Sequence, residues 1–232
     1  MQGTLINVGS ILTGSMIGVA VGSRLPERVR HTVLNGLGLI TMLVGLQMAL
    51  GTRNVMITLG AILIGGVLGE VLKIHDGLEW FGSLMQSLLS KHPDSLFGEG
   101  FVTASLVFCV GPMAILGSIQ DGMAGDYRLL AIKSALDGFA AVAFSASLGW
   151  GVSLSALSIL LYQGGITLFA TTFSRVLTDA MIVEMTASGG LLIVGISLKL
   201  LQLKDVRLAN FLPALAIAPL IVVLMPIITS LF

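Results

Sequence analysis

A lysine and an aspartate stand four residues apart inside an otherwise apolar stretch of this 232-residue chain. They are Lys133 and Asp137, and a spacing of four places both side chains on one face of a helix. A charge in a membrane helix is costly and normally faces the bundle interior or a water-filled cavity. The pattern predicts a proton or cation site at Asp137 that Lys133 modulates. The alternative is a structural ion pair, or a lysine that extends to the outer interface.

A proline interrupts the fourth apolar stretch, directly after the sequence Cys109-Val110-Gly111. Because proline removes a backbone donor and clashes with the preceding turn, we expect the helix to kink or break at Pro112. Backbone carbonyls freed near Gly111 are candidates to bind an ion or a solute if they face a water-filled cavity. A kink that serves helix packing alone is the alternative. Cys109 itself is expected to be a small buried apolar residue.

A glutamine followed by two glycines, Gln163-Gly164-Gly165, lies halfway along the sixth apolar stretch. The amide is a candidate hydrogen-bond donor to a solute, and the glycine pair permits close backbone approach or a helix break. A hydrogen bond from Gln163 to an adjacent helix is the alternative. Asn35 precedes a glycine as Asp137 does, and it is a further candidate for lining a solute site.

Glycine recurs every four residues in the first apolar stretch, at Gly14, Gly18 and Gly22. Such a face of small residues predicts tight helix packing, either within the subunit or across a dimer. At 100° per residue, Asn7 falls on the same side of the helix. Asn7 is therefore a candidate for lining a polar path.

Two other acidic sites are expected to be solvated. The sequence Gly117-Ser118-Ile119-Gln120-Asp121-Gly122 is predicted to close the fourth helix as a turn at its outer end. Glu184 is expected near the exposed start of the seventh helix. An acidic turn at this position could collect cations, but turns rich in Asp and Gly usually face water, and the same expectation holds for Glu184.

Several catalytic and metal-binding motifs are absent from the sequence. It contains no Gly-x-Ser-x-Gly, no His-Glu-x-x-His, no phosphate-binding P-loop and no cluster of Cys and His residues for a metal. The single cysteine excludes an intramolecular disulfide. The sequence therefore predicts no enzyme, metal, cofactor or nucleic-acid partner, and any active transport would run on an ion gradient.

The elements that hold these residues are expected to be membrane helices. Hydrophobic residues make up 55% of the chain and charged residues 10%, against about a quarter charged in a soluble domain. About 20 mainly apolar residues cross the bilayer core as a helix. We predict an all-α polytopic membrane protein, surrounded by the lipid bilayer, with seven or eight transmembrane helices. The candidate stretches are 4–23, 33–50, 55–72, 101–119, 129–149, 152–171, 187–203 and 211–230.

Basic residues near the ends of these stretches predict the orientation. With the N-terminus outside, the cytoplasmic loops contain eight of them, namely Arg24, Arg28, Arg30, Lys73, Lys91, Lys199, Lys204 and Arg207. The outer loops contain three, namely Arg53, Arg128 and Arg175. The first stretch lacks a basic start and a cleavage site, so we expect it to be retained as a span.

Two parts of the chain share one pattern of apolar helices, polar turns and central glycine pairs. Residues 1–72 form the predicted first copy, and residues 101–171 form the second. Three spans per copy would invert the second copy relative to the first, as in many secondary transporters. The turn after the first span is basic and its counterpart after the fourth is acidic, as inverted topology requires. Residues 172–232 form a predicted C-terminal helix pair. The connection between the sixth and seventh spans is long enough to contain a half-helix.

Residues 73–100 are predicted to link the two copies on the cytoplasmic side. Apolar residues recur there at helical spacing, with Trp80 beside them, namely Leu78, Phe81, Met85, Leu88 and Leu89. Such a stripe is typical of an amphipathic helix that lies in the membrane interface. A plain linker and a regulatory or partner-binding segment are both compatible with it.

The chain resembles a bacterial inner-membrane family in its N-terminal sequence Gly3-Thr4-Leu5-Ile6-Asn7-Val8-Gly9, its Asn35-Gly36 helix start and its Gly117–Gly122 segment. Members of this family are called YqgA-like or YdfK-like proteins, and the family is domain-of-unknown-function family 554. The resemblance runs over essentially the whole chain. It implies a bacterial plasma-membrane protein with a loose association with transport, and no catalytic or binding residues come with it.

These features together favour a secondary transporter or permease for a small polar or ionic solute. The predicted site lies between the broken fourth and sixth helices, where Asn35 and Asp137 face the solute. Asp137 would bind a coupling proton or cation, while Gln163 and the carbonyls near Gly111 contact the solute. A passive channel is one alternative, and a scaffold or sensor acting through residues 73–100 is another. The small size of the chain favours a homodimer in each case.

Overall fold

The computed structural model describes residues 1–24, 26–78, 80, 84 and 96–229. Within these ranges the regular secondary structure is entirely helical. The main helices are α1 (Gln2–Gly22), α2 (Glu27–Ala49), α3 (Val55–Val71), α4 (Phe97–Cys109), α5 (Pro112–Ala124), α6 (Arg128–Leu148), α7 (Ser155–Leu168), α8 (Ala170–Val176), α9 (Asp179–Leu200) and α10 (Ala214–Thr229). Short 3₁₀ helices at Trp150–Leu154 and Leu208–Phe211 precede α7 and α10.

Most of these helices are long and apolar enough to cross a membrane. Six described segments have the length and composition of a span, namely α1, α2, α6, Trp150–Leu168, α9 and Leu208–Met225. Helices α4 and α5 form a seventh candidate, bent by 63° at the break between them. Helix α3 is apolar but has 17 residues, fewer than the 20 or so of a typical crossing. The predicted all-α polytopic membrane fold is confirmed.

The outer surface of the bundle is apolar. Large hydrophobic side chains point away from the protein, with Phe139 79%, Met16 74% and Leu161 68% exposed. A soluble monomer rarely exposes a contiguous apolar surface of this kind. Contact with lipid does not carry the free-energy penalty that these side chains would have in water. The exposed surface therefore agrees with the membrane class that the composition predicts.

Several helix boundaries differ from those predicted. Helix α4 begins at Phe97, within the predicted linker, and α9 begins at Asp179 rather than at residue 187. The early start of α9 follows from its cap, because the Thr178 hydroxyl accepts a hydrogen bond from the Met181 backbone N–H at 3.3 Å. The connection before α9 contains the seven-residue helix α8, where a half-helix was allowed for.

Helix α1 packs directly against the backbone of α6. A Cβ atom built on Gly14, Gly18 or Gly22 would lie 2.3–2.4 Å from the carbonyl oxygen of Gly138, Val142 or Ala146, respectively. Only glycine permits this approach, since a side chain at that distance would displace the partner backbone. The contacting residue numbers rise together on both helices, so α1 and α6 run parallel. The predicted packing face is thus used within the subunit.

Glycines also bring together two antiparallel helix pairs. A Cβ on Gly45 of α2 would lie 2.9 Å from the Gly190 carbonyl oxygen of α9, and one on Gly190 would lie 2.7 Å from the Gly45 carbonyl oxygen. Helix α3 approaches the segment before α10 in the same way, because a Cβ on Gly69 would overlap the Asn210 carbonyl. Backbone-close helix pairs therefore include α1 with α6, α2 with α9, and α3 with α10.

The internal repeat is not reflected in this pairing. The main partner of α1 is α6, from the predicted second copy, whereas the main partner of α2 is α9, from the predicted C-terminal pair. An inverted repeat stays a prediction of the sequence.

The predicted amphipathic stripe in 73–100 is only partly within the described residues: Leu78 and Trp80 are helical, and Phe81, Met85, Leu88 and Leu89 lie outside them.

Candidate functional site

Lys133 and Asp137 form an ion pair inside the bundle. They lie one turn apart on α6, close to its midpoint, and the Lys133 ammonium donates a hydrogen bond to Asp137 Oδ2. The two residues are 6% and 8% exposed. Charges this deep in a membrane protein are tolerated when they are paired and hydrogen-bonded. The structure thus joins the two charged residues that the sequence placed on one helix face.

Asn7 of α1 is a second hydrogen-bond donor to Asp137, beside Lys133. Its side-chain Nδ2 donates to Asp137 Oδ2 at 2.9 Å and to Gln163 Oε1 of α7 at 3.1 Å. Both neighbours are acceptors, so the orientation of the Asn7 amide follows from its surroundings. The close contact of α1 with α6 is what brings Asn7 to this depth. Three sequence candidates, Asn7, Asp137 and Gln163, therefore meet at one point.

Two threonines extend the network toward the α1 N-terminus. Gln163 Nε2 donates to Thr4 Oγ1 at 3.4 Å, and the Thr4 and Thr167 hydroxyls lie 3.3 Å apart. Thr167 in turn donates to the Gln163 backbone carbonyl at 2.8 Å. We refer to Thr4, Asn7, Lys133, Asp137, Gln163 and Thr167 as the central network. Sequence reasoning missed both threonines, although Thr4 lies three residues before Asn7 and Thr167 four residues after Gln163.

One acceptor of the central network has no partner among the described residues. Asn7 Oδ1 is fully buried and receives no hydrogen bond. Leaving a buried polar atom unpaired costs about 1–3 kcal/mol, so native proteins rarely keep one without a reason. A ligand that donates a hydrogen bond at this position would remove the cost.

The remaining predicted residues lie outside the central network. Asn35 is exposed on α2, and it is not among the residues that bond Asp137. The predicted helix break at Gly164-Gly165 is wrong, because α7 continues without interruption from Ser155 to Leu168. Helical hydrogen bonds tolerate glycine when neighbouring helices support the segment, and Thr4 of α1 lies against Gly164.

The chain does break at Gly111. Helix α4 ends at Cys109, and α5 begins with Pro112 at its first position, where a missing N–H costs nothing. The break packs against α9, where Gly189 leaves room for the Val110 side chain. Gly111 therefore lies at a discontinuity in a membrane segment, as its sequence context indicated.

Asp121 is not solvated, contrary to the expectation from its sequence. It lies inside α5, which continues to Ala124 and ends at Gly125 in the left-handed conformation (φ 68°). Its carboxylate is buried, accepting from the Gly3 backbone N–H at 3.1 Å and pairing with the Met1 ammonium at 2.9 Å. Asp121 thus ties the start of α1 to the end of α5, next to Thr4.

Glu184 is also buried, again contrary to expectation. At 2% exposure it accepts hydrogen bonds from the backbone N–H groups of Arg53 and Asn54, at 2.8 and 3.1 Å. The hydroxyls of Thr52 and Thr58 donate to its other oxygen at 2.6 and 3.3 Å. These donors belong to the α2–α3 connection and the first turn of α3, some 130 residues away in sequence, so no local signal predicted the contact.

Glu184→Gln is expected to lower the free energy of unfolding by about 1–2 kcal/mol, because four donors lose a charged acceptor. Thermal unfolding of the purified protein in detergent measures this difference. Asp205→Asn is the matched control, since that carboxylate is 84% exposed and lies 3.5 Å from Lys199. A Glu184→Gln protein as stable as wild type would contradict the assignment of Glu184 as the anchor of the connection.

Sequence comparisons place the chain in a family. Residues 2–223 match the family described as "Protein of unknown function (DUF554)". The uncharacterized membrane protein YdfK of Bacillus subtilis is 28% identical over 226 residues, which cover 96% of each chain. The uncharacterized protein YqgA of Escherichia coli is 30% identical over 220 residues, covering 93% of this chain and 94% of the relative. No solved structure matches. The chain therefore belongs to the DUF554 family, and it is a multi-pass membrane protein.

Proposed function

We propose that this protein is a secondary transporter or permease for a small polar or ionic solute, coupled to a proton or cation through Asp137. The observation that carries the proposal is the buried Lys133–Asp137 pair, which is hydrogen-bonded to Asn7 of a second helix. Ionisable groups at this depth are expensive and mark ion or solute pathways in membrane proteins. Gln163, and the backbone near Gly111, are the proposed solute contacts.

Two clefts at opposite ends of the bundle support the proposal. One, of about 590 Å³, is lined by Arg30, Glu99 and Lys199, among others, near the start of α2 and the end of α9. The other, of about 530 Å³, is lined by Arg53 and Asp179, among others, near the end of α2 and the start of α9. Neither cleft includes Lys133 or Asp137. Clefts that open at both ends of a bundle, with a buried polar group that neither reaches, are compatible with alternating access.

The proposed topology follows the charges of the loops. The cleft with Arg30, Lys199 and Lys204 would face the cytoplasm, and the N-terminus would lie outside a bacterial inner membrane. A homodimer is part of the same proposal, because the chain is small for a transporter.

Asp137→Asn is expected to reduce gradient-driven uptake to background, because asparagine cannot exchange a proton or balance a cation. The probe is chosen first by thermal shift, from a panel of amino acids, short-chain carboxylates, Na⁺ and K⁺, since a ligand that binds the native state raises its stability. Uptake of the compound with the largest shift is then measured in proteoliposomes under an imposed proton or Na⁺ gradient.

Asp126→Asn serves as the control for this experiment. Asp126 is a partly exposed aspartate just before α6, and Arg128 binds it at 2.7 Å. This variant is expected to keep wild-type uptake. Full gradient-driven uptake by a folded Asp137→Asn protein would remove Asp137 from the mechanism. Uptake that needs no gradient, in wild type and variant alike, would identify a passive channel instead.

A further inference from the structure

The buried charges of the described residues are few, namely Asp121, Lys133, Asp137 and Glu184. Two of the three carboxylates are held by partners outside the central network. Asp121 pairs with the Met1 ammonium, and Glu184 accepts from the α2–α3 connection. Lys133 therefore has Asp137 as its counter-ion, and no other buried carboxylate of the described residues is free to replace it.

The coupling ion of the proposed function changes the charge balance of this pair. A proton or cation that binds Asp137 neutralises the carboxylate. Lys133 is then a buried ammonium without a counter-ion, and a buried charge that has lost its partner strongly destabilises a protein. The state that carries the coupling ion is therefore stable only when a second negative group binds Lys133.

Asn7 Oδ1 offers the coupling ion a partner. This atom is fully buried and receives no hydrogen bond from the described residues, although Nδ2 of the same side chain donates to Asp137. A protonated Asp137 carboxyl is a donor that requires an acceptor, and amide oxygens are common ligands of hard cations. Either coupling ion would use this oxygen. The network thus provides for the coupling ion, but it holds no second negative charge for Lys133.

The central network also contains neutral donors for an anion. Gln163 Nε2 donates to Thr4 Oγ1 at 3.4 Å, and the hydroxyls of Thr4 and Thr167 lie 3.3 Å apart. Both distances exceed the usual lengths of such hydrogen bonds, so these donors lose little when they turn to another acceptor. Hydrogen bonds to an ionised acceptor are shorter and about twice as strong as neutral ones. A small anion that binds Lys133 and reaches α7 can therefore gain stronger bonds than those it replaces.

We infer that the solute is a small monovalent anion, such as a short-chain carboxylate, an inference that rests on the transport function proposed above. The anion would bind the Lys133 ammonium while the coupling proton or cation occupies Asp137, so one charge of each sign replaces the direct pair. Neither ion binds well alone, because each would leave the other residue of the pair buried without a counter-ion. Binding of one thus favours binding of the other, which is the physical basis of coupling.

Asp137→Asn provides the test, because it leaves Lys133 without its counter-ion. Acetate is expected to restore about half or more of the unfolding temperature that this variant loses, since a ligand that binds the native state stabilises it. Acetamide has nearly the same shape but no charge, and it is expected to restore less than about a tenth. Sulfate replaces chloride in the buffer, because chloride is itself a small monovalent anion.

Lys133→Met is the matched control at the same pair. Its uncompensated charge is the Asp137 carboxylate, so acetate is expected to restore none of the stability that it loses. The wild type and the double variant Lys133→Met/Asp137→Asn make the test independent of the less stable single variants. In slightly acidic buffer that contains Na⁺, acetate is expected to raise the unfolding temperature of the wild type more than acetamide does. The double variant is expected to show no such difference.

Several outcomes would contradict the inference. It fails if acetamide matches acetate, if acetate stabilises Lys133→Met or the double variant as much as Asp137→Asn, or if acetate shifts neither Asp137→Asn nor the wild type. If a neutral or cationic solute shows Asp137-dependent uptake, the anion assignment falls and the proposed function stands. If no compound of the panel shows Asp137-dependent uptake, the proposed function falls, and the anion assignment falls with it.

Discussion

Lys133→Met is expected to destabilise the protein by about 3–5 kcal/mol, because it leaves the Asp137 carboxylate buried with Asn7 as its remaining donor. Asp137→Asn is expected to cost a similar amount, since it leaves the Lys133 ammonium unpaired. The double variant Lys133→Met/Asp137→Asn removes both charges and keeps a side-chain oxygen for Asn7. We expect it to recover to within about 1 kcal/mol of wild type, as neutral replacements of buried pairs often do.

Reversible unfolding in mixed micelles, followed by circular dichroism, measures this cycle. The Asp126→Asn/Arg128→Met pair at the start of α6 is the control, and its coupling is expected to be small because surface ion pairs contribute little. Additive effects of Lys133→Met and Asp137→Asn would show that the two charges do not interact in the folded protein. The double variant also separates stability from function, because it should fold and yet fail to accumulate solute.

Gly18→Leu is expected to destabilise the protein by about 3 kcal/mol or more, at the upper end of the range for overpacked interiors. The first atom of the new side chain would lie 2.4 Å from the Val142 carbonyl oxygen, which is part of a helix backbone and cannot turn aside. Helix α1 would have to move away from α6, taking Asn7 from Asp137. Thermal unfolding and solute-dependent stabilisation are both expected to decrease.

Gly9→Leu is the matched control on the same helix. A Cβ at Gly9 has no atom within 4 Å, so the same substitution meets open space and changes helix propensity alone. We expect its unfolding temperature to equal or slightly exceed that of wild type. If Gly18→Leu were equally well tolerated, the backbone contact between α1 and α6 would not be present in the membrane.

The sequence was sufficient for properties that depend on neighbours along one helix. The length of the apolar stretches predicted the membrane helices, glycine spacing predicted the packing face of α1, and the proline predicted the discontinuity before α5. The four-residue spacing of Lys133 and Asp137 likewise predicted their common face. Each of these signals is contained within a few turns, where geometry is fixed by the helix itself.

Properties that depend on distant segments were not predictable in this way. Thr4 and Thr167 meet although 163 residues separate them, and Glu184 is anchored by a connection some 130 residues earlier. The local sequence of Asp121 is that of a solvated turn because its partners, Gly3 and Met1, lie about 118 residues earlier in the chain. When the hydrogen-bond donors of a carboxylate come from distant segments, the neighbouring residues in the sequence do not show whether that carboxylate is buried.

The three carbonyl contacts between α1 and α6 divide the central network into a rigid part and an exchangeable part. Asn7, Lys133 and Asp137 are carried by two helices that interlock at backbone distance, so they move as one body. Gln163 and Thr167 belong to α7, and they hold that body through neutral side-chain bonds of 3.1–3.4 Å. Such bonds are readily traded for water or solute. On the transport function proposed above, we therefore expect the site to open first between α7 and the α1–α6 pair.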